Sequence, residues 1–265
     1  MKLRVTTGIL VTAFWAGQVW AAEGAPAHDR LTLMASGSTL TDADDGAGAA
    51  IGWLHNFRSG AIVGLGAEYQ TIADSEWKFG SLSFAMGRGQ ANSRTNFYAD
   101  IHEGSGNDDT HSYDYSVVAA GFYQNVTRQL SIQLEDKQID IDTTHGNLPK
   151  LGAQFLWSPT LLTGVSYAHS VSGDLGTRLW SLRIDRFGKK VNLIAGGATG
   201  KASPAVVDLQ GIRTPGVTLH EGFVGIAKPF SRVDLTLLGD YIKIAGTERF
   251  TVTLNGTIRL GESPR

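Results

Sequence analysis

Hydrophobic and polar residues alternate along this chain with a period of two, most regularly near its end. In "RFTVTLNGTIRL" (249–260), Phe250, Val252, Leu254, Gly256, Ile258 and Leu260 take one side. Arg249, Thr251, Thr253, Asn255, Thr257 and Arg259 take the other. This is a strand with one apolar and one polar face. Past the N-terminal region no segment sustains a 3.6-residue period. The alternation instead predicts fourteen strands, at 30–39, 48–57, 60–71, 76–88, 93–103, 112–125, 128–141, 149–158, 160–171, 176–187, 190–200, 217–229, 232–244 and 248–260. Turn residues punctuate them. The interval 201–216 leaves room for a further short strand.

The connections read as alternately tight and loose. Tight ones are "NFRSGA", "GRGQANS", "QNVTRQL", "WSPTL", "RFGKKV" and "PFSRVD". Between them lie "TDADDGAG", "IADSE", "EGSGNDDTHS", "DTTHGNLP", "VSGDLG", "GKASPAVVDLQGIRTPG" and "IAGTE". A meander with short turns at one end and longer loops at the other matches an outer-membrane barrel, which needs an even strand count. Both termini then lie at the short-turn, periplasmic end.

Which solvent the apolar face meets decides between two architectures. A soluble sandwich packs such faces together, whereas a membrane barrel turns them outward to lipid. Apolar sets such as Val63, Leu65 and Tyr69; Leu82, Phe84 and Met86; Phe97 and Ile101; and Leu130, Ile132 and Leu134 recur on one side. Aromatics near strand ends (Trp53, Phe57, Tyr123, Trp157, Tyr167, Trp180, Tyr241) resemble interfacial girdles. The expected fold is therefore all-β, a transmembrane antiparallel up-and-down barrel of about fourteen strands, with 12 and 16 as alternatives.

Composition sharpens the setting. "MKLR" followed by the short apolar "VTTGILVTAFWAGQ" and "VWA" reads as a secretory signal peptide over residues 1–21, leaving 22–265 as the barrel domain. The chain has 265 residues and no cysteine, which excludes disulfides and thiol chemistry. A formal charge of −2 gives no electrostatic reason to expect nucleic acid. No cofactor or metal is expected, because "TDADDG" lacks the ligand spacing of a calcium loop. Acidic outer segments (Asp42, Asp44, Asp45, Asp74, Glu76, Asp108, Asp109, Asp140, Asp142) read as solvated charge, or as sites where divalent ions bridge to lipopolysaccharide.

Two stretches, "LWSLRIDRFGKKVNLIAGGATGKA" (179–202) and "LHEGFVGIAKPFSRVDLTLLGDY" (219–241), resemble hairpins of the YaiO-like outer-membrane β-barrel proteins. The resemblance extends over nearly the whole mature chain. It departs at the C-terminus, where Leu260 is followed by "GESPR" instead of an aromatic ending. The resemblance implies a cell outer-membrane location among lipid and lipopolysaccharide, and a polysaccharide export system as a partner.

The inward face is the candidate pore lining: Glu68, Arg94, Tyr98, Asp100, His102, Glu135, Lys137, Arg183, Asp185, Asp234, Asp240, Arg249 and Arg259. Its charges are mixed, unlike the single-sign ring of a strongly selective pore. Asp234 and Arg259 are placed to pair. Tyr98, Phe79 and Phe122 are scattered inward aromatics. The expected function is a channel or export conduit for small or neutral polar solutes, saccharides among them, with no catalysis. A closed structural barrel is the alternative. A rim lipid hydrolase built on "YAHSVSGD" is disfavoured, because His169 and Ser172 lie three apart and face oppositely on a strand. The long segment after β-strand 190–200 is apolar enough (Val206, Val207, Leu209, Ile212) to fold into the bore or to extend its hairpin.

Overall fold

The computed structural model describes residues 28–41, 45–57, 59–72, 75–88, 95–107, 112–142, 144–202, 217–244 and 247–260. The proposed signal peptide and most of the 201–216 interval lie outside the described residues. Among the described residues fifteen strands form one antiparallel sheet. In chain order they are β1 (His28–Leu40), β2 (Gly46–Asn56), β3 (Ala61–Ile72), β4 (Ser75–Arg88), β5 (Thr95–Asn107), β6 (Ser112–Asn125), β7 (Leu130–Ile141), β8 (Thr144–Asn147), β9 (Lys150–Ser158), β10 (Leu161–His169), β11 (Arg178–Phe187), β12 (Asn192–Ala202), β13 (Val217–Pro229), β14 (Val233–Ile244) and β15 (Thr247–Leu260).

Two of these are one stave. β8 and β9 pair with β7 in a single register, Gln138 opposite Asn147 and Glu135 opposite Lys150. Leu148 exchanges both backbone hydrogen bonds with Lys137 between them. Only Pro149, which has no N–H to donate, interrupts the stave. Consecutive strands pair throughout, and β1 pairs with β15 to close the ring. The result is a closed up-and-down barrel of 14 staves. Following register partners once around the ring advances the register by about 14 residues. Equal strand number and shear give a tilt of about 37° and a backbone radius of about 12 Å.

The outside is apolar around a broad band. Leu33, Ile51, Leu65, Leu82, Phe84, Phe97, Leu134, Leu151, Leu182, Val224, Leu237 and Leu254 are all exposed large hydrophobics, Leu254 at 52%. So much apolar surface on every stave is unstable in water and stable in lipid. On β15 the outward run from Phe250 to Leu260 spans about 27 Å along the barrel axis, close to the height of a lipid-facing band. Trp157, Phe57 and Phe187 lie outward near the end that carries the termini, and Tyr69, Tyr241, Trp180 and Tyr167 toward the far end.

Two expectations fail here. The far-end connections are not uniformly long, since β3 and β4, β7 and β8, and β14 and β15 are separated only by positions 73–74, 142–143 and 245–246. Half of "DTTHGNLP", Thr144–Asn147, is strand. Asp142 makes the reversal possible by adopting φ 52°, a left-handed conformation aspartate tolerates, while its N–H donates to the Asp114 carbonyl at 2.9 Å. The far end differs because its strands continue beyond the apolar band with polar outer faces, as at Glu76, Lys78, Glu103, Ser105, Asp114, Gln138 and Asp140. The second failure concerns β6. Phe122 faces outward against Phe97, centroids 6.2 Å apart, and Tyr123 faces inward against Tyr98 at 5.6 Å. They exchange the sides expected of them because Phe97 and Phe122 are register partners and share a face.

Candidate lumenal site

Inward side chains divide the lumen into zones. Nearest the termini, Leu54, Ile62, Ala85 and Tyr98 pack together with Tyr123. The far end holds two apolar groups. One comprises Trp77, Phe79, Tyr115, Val117, Ile139, Ile141, Leu148, Ala168 and Leu175. The other comprises Ala202, Leu219, Ile242 and Ile244. Leu175 comes from the β10–β11 connection, not from the wall. That segment turns inward through Gly173 (φ 70°) and Gly176 (φ 52°). The Asp174 N–H donates to His145 O at 2.9 Å, and Ser172 Oγ donates to Asn147 Oδ1 at 3.1 Å. Leu175 is wholly buried in consequence.

Between these zones runs a belt of charge. Glu135 is its best-connected member: Lys150 Nζ lies 3.0 Å and Lys137 Nζ 3.7 Å from its Oε1. The Tyr98 hydroxyl donates to its Oε2, and Gln133 donates to Tyr98 at 2.9 Å. Arg183 Nε reaches Asp185 at 2.9 Å, two residues along the same face of β11. Glu221 and Asp240 both feel the charge of Arg249, which is fully buried. Asp100 is hydrogen-bonded by Ser83, its register partner. At the terminal rim Arg259 and Asp234 do pair, at 2.5 Å.

The candidate residues Glu68, Tyr98, Asp100, His102, Glu135, Lys137, Arg183, Asp185, Asp234, Asp240, Arg249 and Arg259 therefore all point inward, whereas Arg94 lies outside the described residues. Lys150 and Glu221 also point inward and were overlooked. Lys150 sits on the polar parity of its strand, opposite the outward Leu151, so continued alternation would have found it; Glu221 shares its face of β13 with Val217, Leu219 and Phe223, so alternation gave no signal there. The aromatics are not scattered, since Trp77 stacks on Phe79 at 6.0 Å and on Tyr113 at 5.7 Å. Ser170 and Ser172 bond to Thr177 and Asn147, and His169 stacks on Tyr167, so neither serine pairs with the His169 imidazole. Among the described residues no group of His, Asp and Glu is placed to hold a metal ion.

One side of the belt is thin-walled. Ala50, Gly52 and Gly66 on β2 and β3 leave a small cavity of about 40 Å³ between them and Thr32, Met34, Leu54, Glu68, Phe79, Ser81, His102 and Asn255. Glu68 sits directly across from Phe79 in register.

No family model matches the chain, and no curated protein matches it. Solved structures do. The chain is similar to the CymD monoaromatic hydrocarbon channel, with TM-score 0.60 and 11% identity over 92% of this chain and 90% of that one. It is similar to the Pseudomonas putida toluene transporter TodX, with TM-score 0.54 and 9% identity over 97% and 94%. The Acinetobacter baumannii outer-membrane protein Omp33 follows, with TM-score 0.53 and 11% identity over 88% and 99%. At these identities the shared property is the barrel fold.

Proposed function

We propose that this chain is an outer-membrane channel for small solutes, with both termini in the periplasm. The carrying observation is the lumen: a charge belt of mixed sign beside an unfilled, small-residue wall, inside a barrel whose outside is apolar all round. A bore of this kind sieves by size and biases weakly by charge. The fold likeness to the CymD monoaromatic hydrocarbon channel and the toluene transporter TodX supports a solute path, and the resemblance to YaiO-like barrels supports the same membrane and a surface polysaccharide export system as a partner. Saccharides are less well served by this lumen, because its largest ring, Trp77, is fully buried and offers no face to stack on.

The apolar packing around Leu175 favours a second reading, a closed barrel with a structural role in the envelope. Single-channel recording of the purified barrel in a planar bilayer separates the two. Stable conductance steps with a small reversal potential under a salt gradient are expected of the channel. Silence from correctly inserted protein would leave the closed barrel.

A further inference from the structure

Beyond the apolar band at the far end, the outward charges are sorted around the barrel. On β4 to β7 they are mostly acidic, as at Glu76, Glu103, Asp114 and Asp140. On β11 and β12 they are basic. Arg178 and Lys201 are both exposed, face outward, and stand directly opposite each other in register. Like charges so placed repel. Neither has an ion-pair partner among the described residues. Lys243, two strands further on, is by contrast paired with Glu248 at 2.5 Å. An anion lying between Arg178 and Lys201 removes the repulsion, and a phosphate matches the donor fork of the arginine.

The wall below these cations indicates what carries the anion. Two residues down β11 is Trp180, 60% exposed, with the Tyr167 ring of β10 against it at 4.7 Å. Leu182 and Ile184 continue that outward face. The cations thus stand one row beyond an aromatic girdle, at the depth where lipid headgroups meet their chains. In the row of Leu182, the next two outward positions are Gly197 and Gly222, followed by Tyr241. A Cβ at Gly222 would meet nothing within 4 Å. The outer wall is therefore recessed between Leu182 and Tyr241, below the two cations. A soluble anion has no use for such a recess, whereas an acyl chain can lie in it.

We infer that Arg178 and Lys201 hold a phosphate group of lipopolysaccharide, the phosphorylated glycolipid of the outer leaflet, with an acyl chain in the recess at Gly197 and Gly222. This rests on the orientation proposed above, which puts the far end at the cell surface. It adds a lipid site on the outside of the barrel, separate from the lumen.

The test is native mass spectrometry of the purified barrel in detergent, titrated with bisphosphorylated lipid A, dephosphorylated lipid A and phosphatidylglycerol. Lipid A should bind most tightly and its dephosphorylated form most weakly. Arg178→Gln combined with Lys201→Gln should weaken lipid A binding roughly thirtyfold. Arg186→Gln combined with Lys228→Gln removes two exposed outward cations at the other end and should leave it unchanged. Lipid A binding that survives the first pair, or that both pairs weaken alike, would overturn the inference. So would phosphatidylglycerol retained as tightly as lipid A. Detergent presents both ends of the barrel alike, so these outcomes bear on the site and not on the orientation. Cysteine labelling in intact cells tests the orientation by itself. Reversed labelling with lipid A binding intact would remove the orientation, and lipopolysaccharide as the occupant, and leave the phosphate site.

Discussion

The ring of Phe79 lies across Gly104, its register partner on β5, so closely that a Cβ on Gly104 would come within 2.5 Å of the ring and 2.3 Å of the Lys78 carbonyl. The same relation holds for Trp77 over Gly106, Tyr98 over Gly121 and Phe223 over Gly196, each pair being direct partners across adjacent strands. Missing side chains on one strand let rings on the next lie flat against the wall instead of reaching across the bore. Gly104→Ala should therefore displace both ring and backbone, at a cost of about 1–3 kcal/mol. Urea unfolding in lipid vesicles reads this directly, and an unchanged midpoint would show that the wall yields without strain.

The apolar exterior makes a depth-dependent prediction. Leu254 lies in the middle of the outward run of β15 and Leu260 at its terminal edge. Arginine at Leu254 should cost about 2–4 kcal/mol and at Leu260 about 0–1 kcal/mol. Equal costs measured by reversible unfolding would remove the lipid-facing assignment of this strand.

Most of the fold was legible because a strand's parity is repeated at every second residue, so a single misread position does not alter the pattern. All fourteen expected strands have counterparts, and the β8–β9 break falls at Pro149, where the expected strand began. Parity failed where both sides carry an aromatic, as at Phe122 and Tyr123, and only the pairing with Phe97 resolves it. The site was less legible. Which acids are neutralised depends on diagonals between strands, so nothing in the sequence separates Glu68 from Glu135. The inward course of 170–177 is likewise a property of its contacts with β8, and the sequence had pointed to the more apolar 201–216 interval instead.

Glu135 should control the sign of ion selectivity. Its side chain is buried between two lysines that are each about a quarter exposed. Glu135→Gln removes one negative charge and leaves Lys137 and Lys150 uncompensated. The reversal potential should move toward anions, with a stability loss of about 2 kcal/mol, moderated because both ammonium groups reach solvent. Lys150→Met should move it toward cations. Movement of both variants in one direction would mean that the belt does not line the conducting path.

Orientation is tested in intact cells. Cysteines replacing Asp142, at the far end, and Ser59, between β2 and β3, occupy opposite ends of the barrel. The chain has no cysteine of its own to confuse the result. A membrane-impermeant maleimide should label the first and spare the second. The reverse pattern would place the termini outside the cell.

Leu175 is the one described side chain that enters the far apolar group from a connection and not from a stave. Hydrogen bonds to β8 also hold its segment, among them Val171 N to Asn147 O at 3.1 Å and Asp174 N to His145 O at 2.9 Å. The leucine side chain is thus the main apolar tether. Leu175→Ala should weaken the docked position by about 2–5 kcal/mol. Strand pairing in the wall does not involve this residue, so the barrel itself should stay intact. Released, 170–177 would leave the far lumen wider, and single-channel conductance should rise while ion selectivity, set at the belt, stays the same. A conductance equal to that of the wild-type barrel would show that the narrowest point lies elsewhere. A fall in conductance would show that the docked segment shapes the path instead of obstructing it.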